Sequence, residues 1–290
     1  METNNLKYLF IVDSYKWALY KRAMNLKKHL NLNAEIIHFN EVKNFNLKNF
    51  DIIYLLNWPI YKIIEPYLIN KDLNLITTIS SHEKNRPINI KEILLKHKKF
   101  SVSNIHLLEE YKKYYNSFYY TPFGVDEKIY KKYTNPNEYK NIFGFVGNSD
   151  RKEKRFEIIK NIILKNKNAK LITATNKDLF DENQMVDFYN KIGTLICYSS
   201  SEGTPNPVLE ASACGRNVIS TNVGNVSELF KNKNLKDNII ISENDFNLKV
   251  NNIINNNIDL NLNGILFQNE IVKNWTWKKQ SKNFLNFLKK

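Results

Sequence analysis

Apolar residues fall along this chain in short continuous runs that alternate with amphipathic stretches. Tyr8–Asp13 is apolar up to its closing acid, the pattern of a central parallel strand buried on both faces. Trp17–Leu30 repeats its apolar positions at helical spacing, with Leu19, Ala23, Leu26 and Leu30 along one stripe. Further strands are predicted at Glu35–His38, Ile52–Leu56, Leu75–Ser80 and Phe100–Ser103, and Ser117–Tyr120 closes the first half. Helical segments lie between most of them, including Lys91–His97 and His106–Tyr115. The polar, proline-containing stretch Tyr130–Tyr139 reads as a linker. The pattern then restarts. A strand is predicted at Ile142–Val146, a helix at Lys154–Lys165, and strands at Lys170–Thr173, Thr194–Tyr198, Asn217–Ser220 and Asn238–Ile241. One helix precedes Asn217, another begins at Asp245, and a last one spans Thr276–Leu288. This alternation predicts an α/β fold with parallel sheets and crossover helices.

A chain of 290 residues, 42% hydrophobic with 17 Phe and 16 Tyr, can bury full cores and is expected to form two domains. No run of 18 apolar residues exists, so no spanning helix is predicted. The segment Met1–Lys7 lacks a signal peptide's apolar core, which predicts a cytoplasmic protein. Cys197 and Cys214 have no metal-ligand or disulfide spacing and read as small core residues. The formal net charge of +14 favours anionic partners such as nucleotide phosphates or lipid headgroups, although the abundance of Asn, Lys and Ile also fits a compositional bias. More than half of the excess falls in residues 1–135. Lys16, Lys21, Arg22, Lys27 and Lys28 cluster around one early helix, suggesting peripheral contact with an anionic inner membrane face.

The most informative stretch is residues 202–215, Glu-Gly-Thr-Pro-Asn-Pro-Val-Leu-Glu-Ala-Ser-Ala-Cys-Gly. It reads as a loop and a helix between two strands, with Glu202 in the loop and Glu210 a turn into the helix. Open α/β sheets bind ligands beyond the carboxyl ends of their strands, and a helix start favours phosphate.

This segment closely resembles the donor-site signature of the retaining glycosyltransferases of family 4. The resemblance extends back through Met185–Asn190 and forward through Ile219–Leu229. It implies a GT-B architecture, two Rossmann-like domains facing across a cleft. The expected division is an acceptor domain over 1–135, a nucleotide-sugar donor domain over 136–274, and a terminal helix over 275–290 that crosses back to the first domain after Trp275 and Trp277.

The resemblance also assigns roles. Glu202 would hold the hydroxyls of the donor sugar, and Glu210 would accept hydrogen bonds from two ribose hydroxyls. Lys154 would meet the diphosphate, with Gly147 after the preceding strand. Asn148 stands where the family usually has Arg, and Arg151 is a candidate replacement. Gly203, Thr204, Pro205, Asn206 and Pro207 would bring backbone to sugar and phosphate, and Thr175 and Met185 would border the donor. His82 would reach the donor from the first domain. Thr121–Asp126 resembles the family's turn closing that domain, with Phe123 replacing Asn. The first loop, Asp13–Trp17, lacks the family's glycine pair. Neither a metal nor a cofactor is expected, the nucleotide sugar being a substrate, and no nucleic-acid partner is expected.

The activity implied is retaining transfer of a hexose from a UDP- or GDP-linked donor to a glycan, lipid-linked or other hydroxyl acceptor, in cell-envelope glycan synthesis. Two alternatives stay open: a catalytically degenerate GT-B binding or assembly module, and another GT-B enzyme such as a nucleotide-sugar epimerase. A nicotinamide dehydrogenase is disfavoured because no Gly-x-Gly-x-x-Gly follows either leading strand.

Overall fold

The computed structural model describes residues 5–16, 18–68, 72–80, 90–113, 118–178 and 180–289. The chain divides into two compact units, Met1–Gly124 with Trp277–Lys290, and Val125–Thr276.

The first unit holds a six-stranded parallel sheet in the order β2-β1-β3-β4-β5-β6. Its strands are β1 (Lys7–Val12), β2 (Asn33–His38), β3 (Ile52–Leu55), β4 (Leu75–Ile79), β5 (Lys99–Val102) and β6 (Phe118–Tyr120). β1, β3 and β4 are buried almost throughout, which explains their unbroken apolar runs. The crossovers are α1 (Ala18–Leu30), α2 (Ile60–Leu68), α3 (Ile90–Leu94) and α4 (Ile105–Tyr111). Leu9, Ile11, Ile53, Leu55, Ile64 and Val102 lie in one apolar cluster.

The second unit holds a five-stranded parallel sheet in the order β11-β10-β9-β7-β8. Its strands are β7 (Ile142–Val146), β8 (Lys170–Ala174), β9 (Thr194–Cys197), β10 (Asn217–Thr221) and β11 (Ile239–Ile240). Between and after them run α5 (Phe156–Leu164), α6 (Glu182–Asn190), α7 (Asn206–Ala213), α8 (Val226–Leu229), α9 (Lys233–Lys236), α10 (Glu243–Ile254) and α11 (Leu260–Glu270). The chain leaves β7 for β8 on one side and returns to β9 on the other. The carboxyl ends of β7 and β9 therefore flank the topological switch point, where such sheets bind ligands.

The last helix, α12 (Trp277–Leu288), belongs to the first unit. It lies along α1, buries Phe284 and Phe287 completely, and its Leu288 carbonyl accepts from the Tyr8 hydroxyl at 3.1 Å.

Three expectations are corrected. The stretch Tyr130–Tyr139 is no linker but is tied into the second unit. Arg216, fully buried, donates through Nη2 to the Thr134 carbonyl at 2.6 Å, and the Asn190 side chain accepts from Tyr133 N at 2.7 Å. The helix expected from Lys154 is interrupted at once. Lys152–Lys154 form a 3-10 turn, Arg155 adopts a left-handed φ of 49°, and only then does α5 begin. Arg22 does not join the exposed lysines of α1. It is completely buried, donates to the Thr78 and Thr121 hydroxyls at 3.1 Å each, and packs its guanidinium 4.8 Å from the Phe123 ring and 4.7 Å from that of Phe284. Burial holds it below the ordinary guanidinium range. Phe123, which replaces the family's Asn in its turn, is part of this packing.

Candidate functional site

Two loops leave the switch point of the second sheet. The first runs from β7 to α5. Gly147 opens it with a φ of 146°, a backbone conformation that L side chains rarely adopt. A Cβ there would lie 3.2 Å from Lys154 Cε, so the glycine leaves room for the lysine stem. Asn148 turns the backbone by accepting from Asp150 N at 2.9 Å. The following 3-10 turn and the left-handed Arg155 aim successive side chains differently. Arg155 lies over the Tyr198 ring at 5.3 Å, and Arg151 is exposed, 3.6 Å from Glu153.

The second loop runs from β9 to α7 and carries Glu202. Lys154 Nζ and Glu202 Oε1 meet at 2.6 Å with only 13% of each side chain exposed. The Ser199 hydroxyl donates to the same Oε1 at 2.7 Å. The backbone also ties the loops, because Ser200 N donates to the Glu153 carbonyl at 2.8 Å. Ser199 is in turn fixed by the Thr221 hydroxyl, which donates to its carbonyl at 2.5 Å. A cation and a carboxylate 48 residues apart are thus assembled at the strand edge where the topology favours a ligand.

Further along, Thr204 donates to the buried Asn225 Oδ1 at 2.8 Å, and Asn225 Nδ2 donates to Glu228 Oε2 at 3.0 Å. Gly224, with a φ of 55°, lets this turn approach Gly203 closely, and a Cβ there would lie 2.9 Å from Pro205 Cδ. Pro205 precedes α7, and Asn206 and Pro207 begin it. Thr175 follows β8 and is held by Asp178, whose Oδ2 accepts from the Thr175 hydroxyl at 2.9 Å.

Glu210 lies in α7, half-buried, and its Oε2 accepts from the Tyr189 hydroxyl at 2.7 Å. Tyr130 lies near the same carboxylate. Burial first, and then the Glu210 charge, push both phenols well above the ordinary tyrosine range. Met185 precedes Tyr189 by one turn of α6, and the two rings of Tyr130 and Tyr189 meet edge-on with centroids 6.1 Å apart.

The structure therefore brings Lys154, Gly147 and Glu202 together, places Gly203–Pro207 in the same loop, and puts Glu210 in the helix that follows. Arg151 is drawn to Glu153 on the surface and is not part of that pair. His82 lies outside the described residues. Tyr130, Tyr189, Ser199 and Asn225 carry no role in the sequence reading, although Tyr189 falls within the Met185–Asn190 stretch singled out there. Among the described residues no His, Cys, Asp and Glu are grouped to hold a metal ion, and no helix is long and apolar enough to cross a membrane. Cys197 and Cys214 are free thiols, both pushed up in pKa by burial.

Comparison with known proteins places this geometry. Residues 134–263, which contain Lys154, Glu202 and Glu210, match the family model of glycosyl transferases group 1. No curated protein matches the chain in sequence. Among solved structures, HepE of Anabaena in complex with UDP-glucose is similar over 98% of this chain and 99% of its own, with a TM-score of 0.79 and 10% identity. Sucrose-phosphate synthase from Thermosynechococcus elongatus is similar over 98% of both chains, with a TM-score of 0.72 and 11% identity. A glycosyltransferase from Rickettsia africae is similar over 98% of both, with a TM-score of 0.69 and 13% identity. At these identities the likeness establishes the fold, which is the two-unit α/β architecture known as GT-B.

Proposed function

We propose that this chain is a retaining glycosyltransferase that moves a hexose from a UDP- or GDP-linked donor to a hydroxyl acceptor, with the donor held by the loops of the second sheet. The observation that carries the reading is the Lys154–Glu202 pair at the switch point, within a segment that matches a glycosyltransferase family model. The Anabaena protein, described in complex with UDP-glucose, makes that donor the first to try.

Cleaving a sugar from a diphosphate builds negative charge on the leaving phosphate and positive charge on the ring. A preorganised cation at the phosphate stabilises the transition state more than the ground state. Lys154 supplies that cation, packed against a glycine that leaves room for its stem, so no resident metal or cofactor is needed for this role. Glu202 receives the sugar hydroxyls, and Glu210 receives the ribose diol, as an ionised carboxylate with two acceptor oxygens can. The departing phosphate assists deprotonation of the acceptor on the same face, which retains the anomeric configuration.

The acceptor is a cell-envelope glycan or lipid-linked sugar reached from the cytoplasmic side, with the lysines of the first unit giving a peripheral, salt-sensitive hold on anionic lipid. Arg22 takes no part in that hold, being buried.

The test is incubation with UDP-glucose and GDP-glucose, with water or a simple alkyl glycoside as acceptor, followed by NMR of the first-formed product. The reading expects release of the nucleotide with the α configuration retained. Inverted product overturns the retaining assignment. An absence of turnover with either donor, together with no binding of UDP or GDP, overturns the transferase reading.

A further inference from the structure

Glu210 is the residue assigned to the ribose, yet it does not stand alone. It lies on α7, while Tyr189 lies on α6 and Tyr130 on the stretch that precedes β7. Both tyrosines are buried, Tyr189 completely and Tyr130 nearly so; Tyr189 donates to Glu210 Oε2 at 2.7 Å, and Tyr130 lies close enough for the carboxylate to raise its phenol. A Tyr hydroxyl facing an acceptor-only carboxylate must donate. Two phenols converging from separate elements restrict a side chain that would otherwise sample several rotamers.

The surroundings fix the donors in turn. The Tyr130 and Tyr189 rings pack edge to face, and the Phe188 ring meets Tyr189 with centroids 5.6 Å apart. The stretch carrying Tyr130 is pinned by Asn190, the last residue of α6, which donates to the Lys131 carbonyl at 2.9 Å and accepts from Tyr133 N. Tyr189 and Asn190 are neighbours, so one end of α6 sets both phenols against the same carboxylate.

We propose that Tyr189 and Tyr130 are positioning residues for Glu210, and that together they make this site discriminate a ribose from a deoxyribose nucleotide. An ionised carboxylate accepts about four hydrogen bonds, so two phenols do not exhaust it. They hold its plane, and a vicinal diol engages both oxygens only when that plane is held. A nucleotide that lacks the 2′-hydroxyl forfeits one of the two bonds, and the benefit of the fixed plane with it. The inference rests on the donor-site reading, in which Glu210 faces the ribose.

The experiment is calorimetric binding of UDP and 2′-deoxy-UDP to the full chain and to Tyr189→Phe, Tyr130→Phe and Glu210→Gln. GDP and 2′-deoxy-GDP are used if the guanine series is the one bound. Tyr→Phe removes a hydroxyl and keeps the ring, and thermal unfolding checks that each variant is folded. The parent protein is expected to prefer UDP by roughly tenfold or more. Tyr189→Phe is expected to weaken UDP by about tenfold and leave 2′-deoxy-UDP within twofold, and Tyr130→Phe to do the same to a smaller degree. Glu210→Gln is expected to abolish the preference, and adding Tyr189→Phe to it to change nothing further.

A structural role alone predicts that Tyr189→Phe and Tyr130→Phe weaken both nucleotides equally, and that result overturns the inference. So does a ribose preference that both Tyr→Phe variants retain but Glu210→Gln loses, which leaves the donor-site reading standing. A parent protein that binds both nucleotides alike overturns both.

Discussion

Glu202→Gln is expected to have opposite effects on two ligands, and the structure gives the size of one. Lys154 Nζ and Glu202 Oε1 lie 2.6 Å apart and are each only 13% exposed, so solvent screens them weakly. At an effective dielectric constant of about 20 their gross attraction is about 6 kcal/mol. Desolvation cancels much of that, and a hydrogen bond to a charged group is worth about 1.5–3 kcal/mol net, against about 0.5–1.5 for a neutral one. A diphosphate entering this loop must share or displace Glu202 at Lys154. The glutamine keeps the neutral hydrogen bond and gives up the charge, a difference of about 1.4 kcal/mol, or about tenfold in affinity. UDP or GDP, which lack the transferred sugar that residue 202 is proposed to hold, should therefore bind Glu202→Gln about tenfold more tightly. Turnover of the nucleotide sugar should fall, because the carboxylate proposed to receive the sugar hydroxyls is gone. Calorimetry with the bare nucleotide and steady-state rates with the nucleotide sugar read the two effects. Weaker nucleotide binding by Glu202→Gln would refute the competition argument.

Three other outcomes follow from the packing. Arg22, buried among hydroxyls and aromatic rings, should tolerate Arg22→Met with an unchanged or higher denaturation midpoint, because apolar groups often replace buried charge without loss. Arg22→Ala opens a cavity and should cost about 2–5 kcal/mol, and equal losses for Met and Ala would contradict this account. His97 is buried, donates from Nδ1 to the Ile93 carbonyl at 2.7 Å, and is lowered by burial from 6.5 to about 4. Between those values the unfolded chain binds the proton and the folded one does not. Stability should thus fall by about 3 kcal/mol as pH drops from 6.5 to 4, and His97→Phe should flatten that slope in a pH series of denaturant melts. Gly224→Ala puts a Cβ at a left-handed φ and against the Gly203 carbonyl. It should cost about 1–3 kcal/mol of stability and raise the donor KM, and an unchanged KM would separate this turn from the site.

The strands were legible because parallel strands covered on both faces leave continuous apolar runs, as in Tyr8–Val12 and Ile142–Val146. The Glu202–Glu210 stretch was legible because its two carboxylates, with a glycine and two prolines between them, follow a predicted strand in a pattern that resembles a donor-site signature. What stayed hidden depended on partners distant in sequence. Arg22 reads as one more cation of a basic helix although it stands three residues after Leu19 and four before Leu26, and nothing nearby reveals that α12 covers it. Tyr130 falls in a polar stretch that resembles a linker, because the Arg216 and Asn190 bonds that anchor the stretch come from elsewhere in the chain. The break before α5 rests on a positive φ at Arg155, a residue type that does not announce one. Tyr189 reads as a core aromatic until its hydroxyl is seen on Glu210.

The central claim is that the loops after β7 and β9, with α7, hold a nucleotide sugar. The most direct measurement is a thermal-shift panel of UDP- and GDP-linked sugars on the parent protein and on Glu210→Gln. A ligand at one hundred times its Kd stabilises a folded protein by about 2.7 kcal/mol. At least one nucleotide sugar should therefore raise the parent's Tm by several degrees, and Glu210→Gln should lose most of that rise at the same concentration. A panel in which no nucleotide sugar moves the parent's Tm, or in which the rise survives intact in Glu210→Gln, would contradict it.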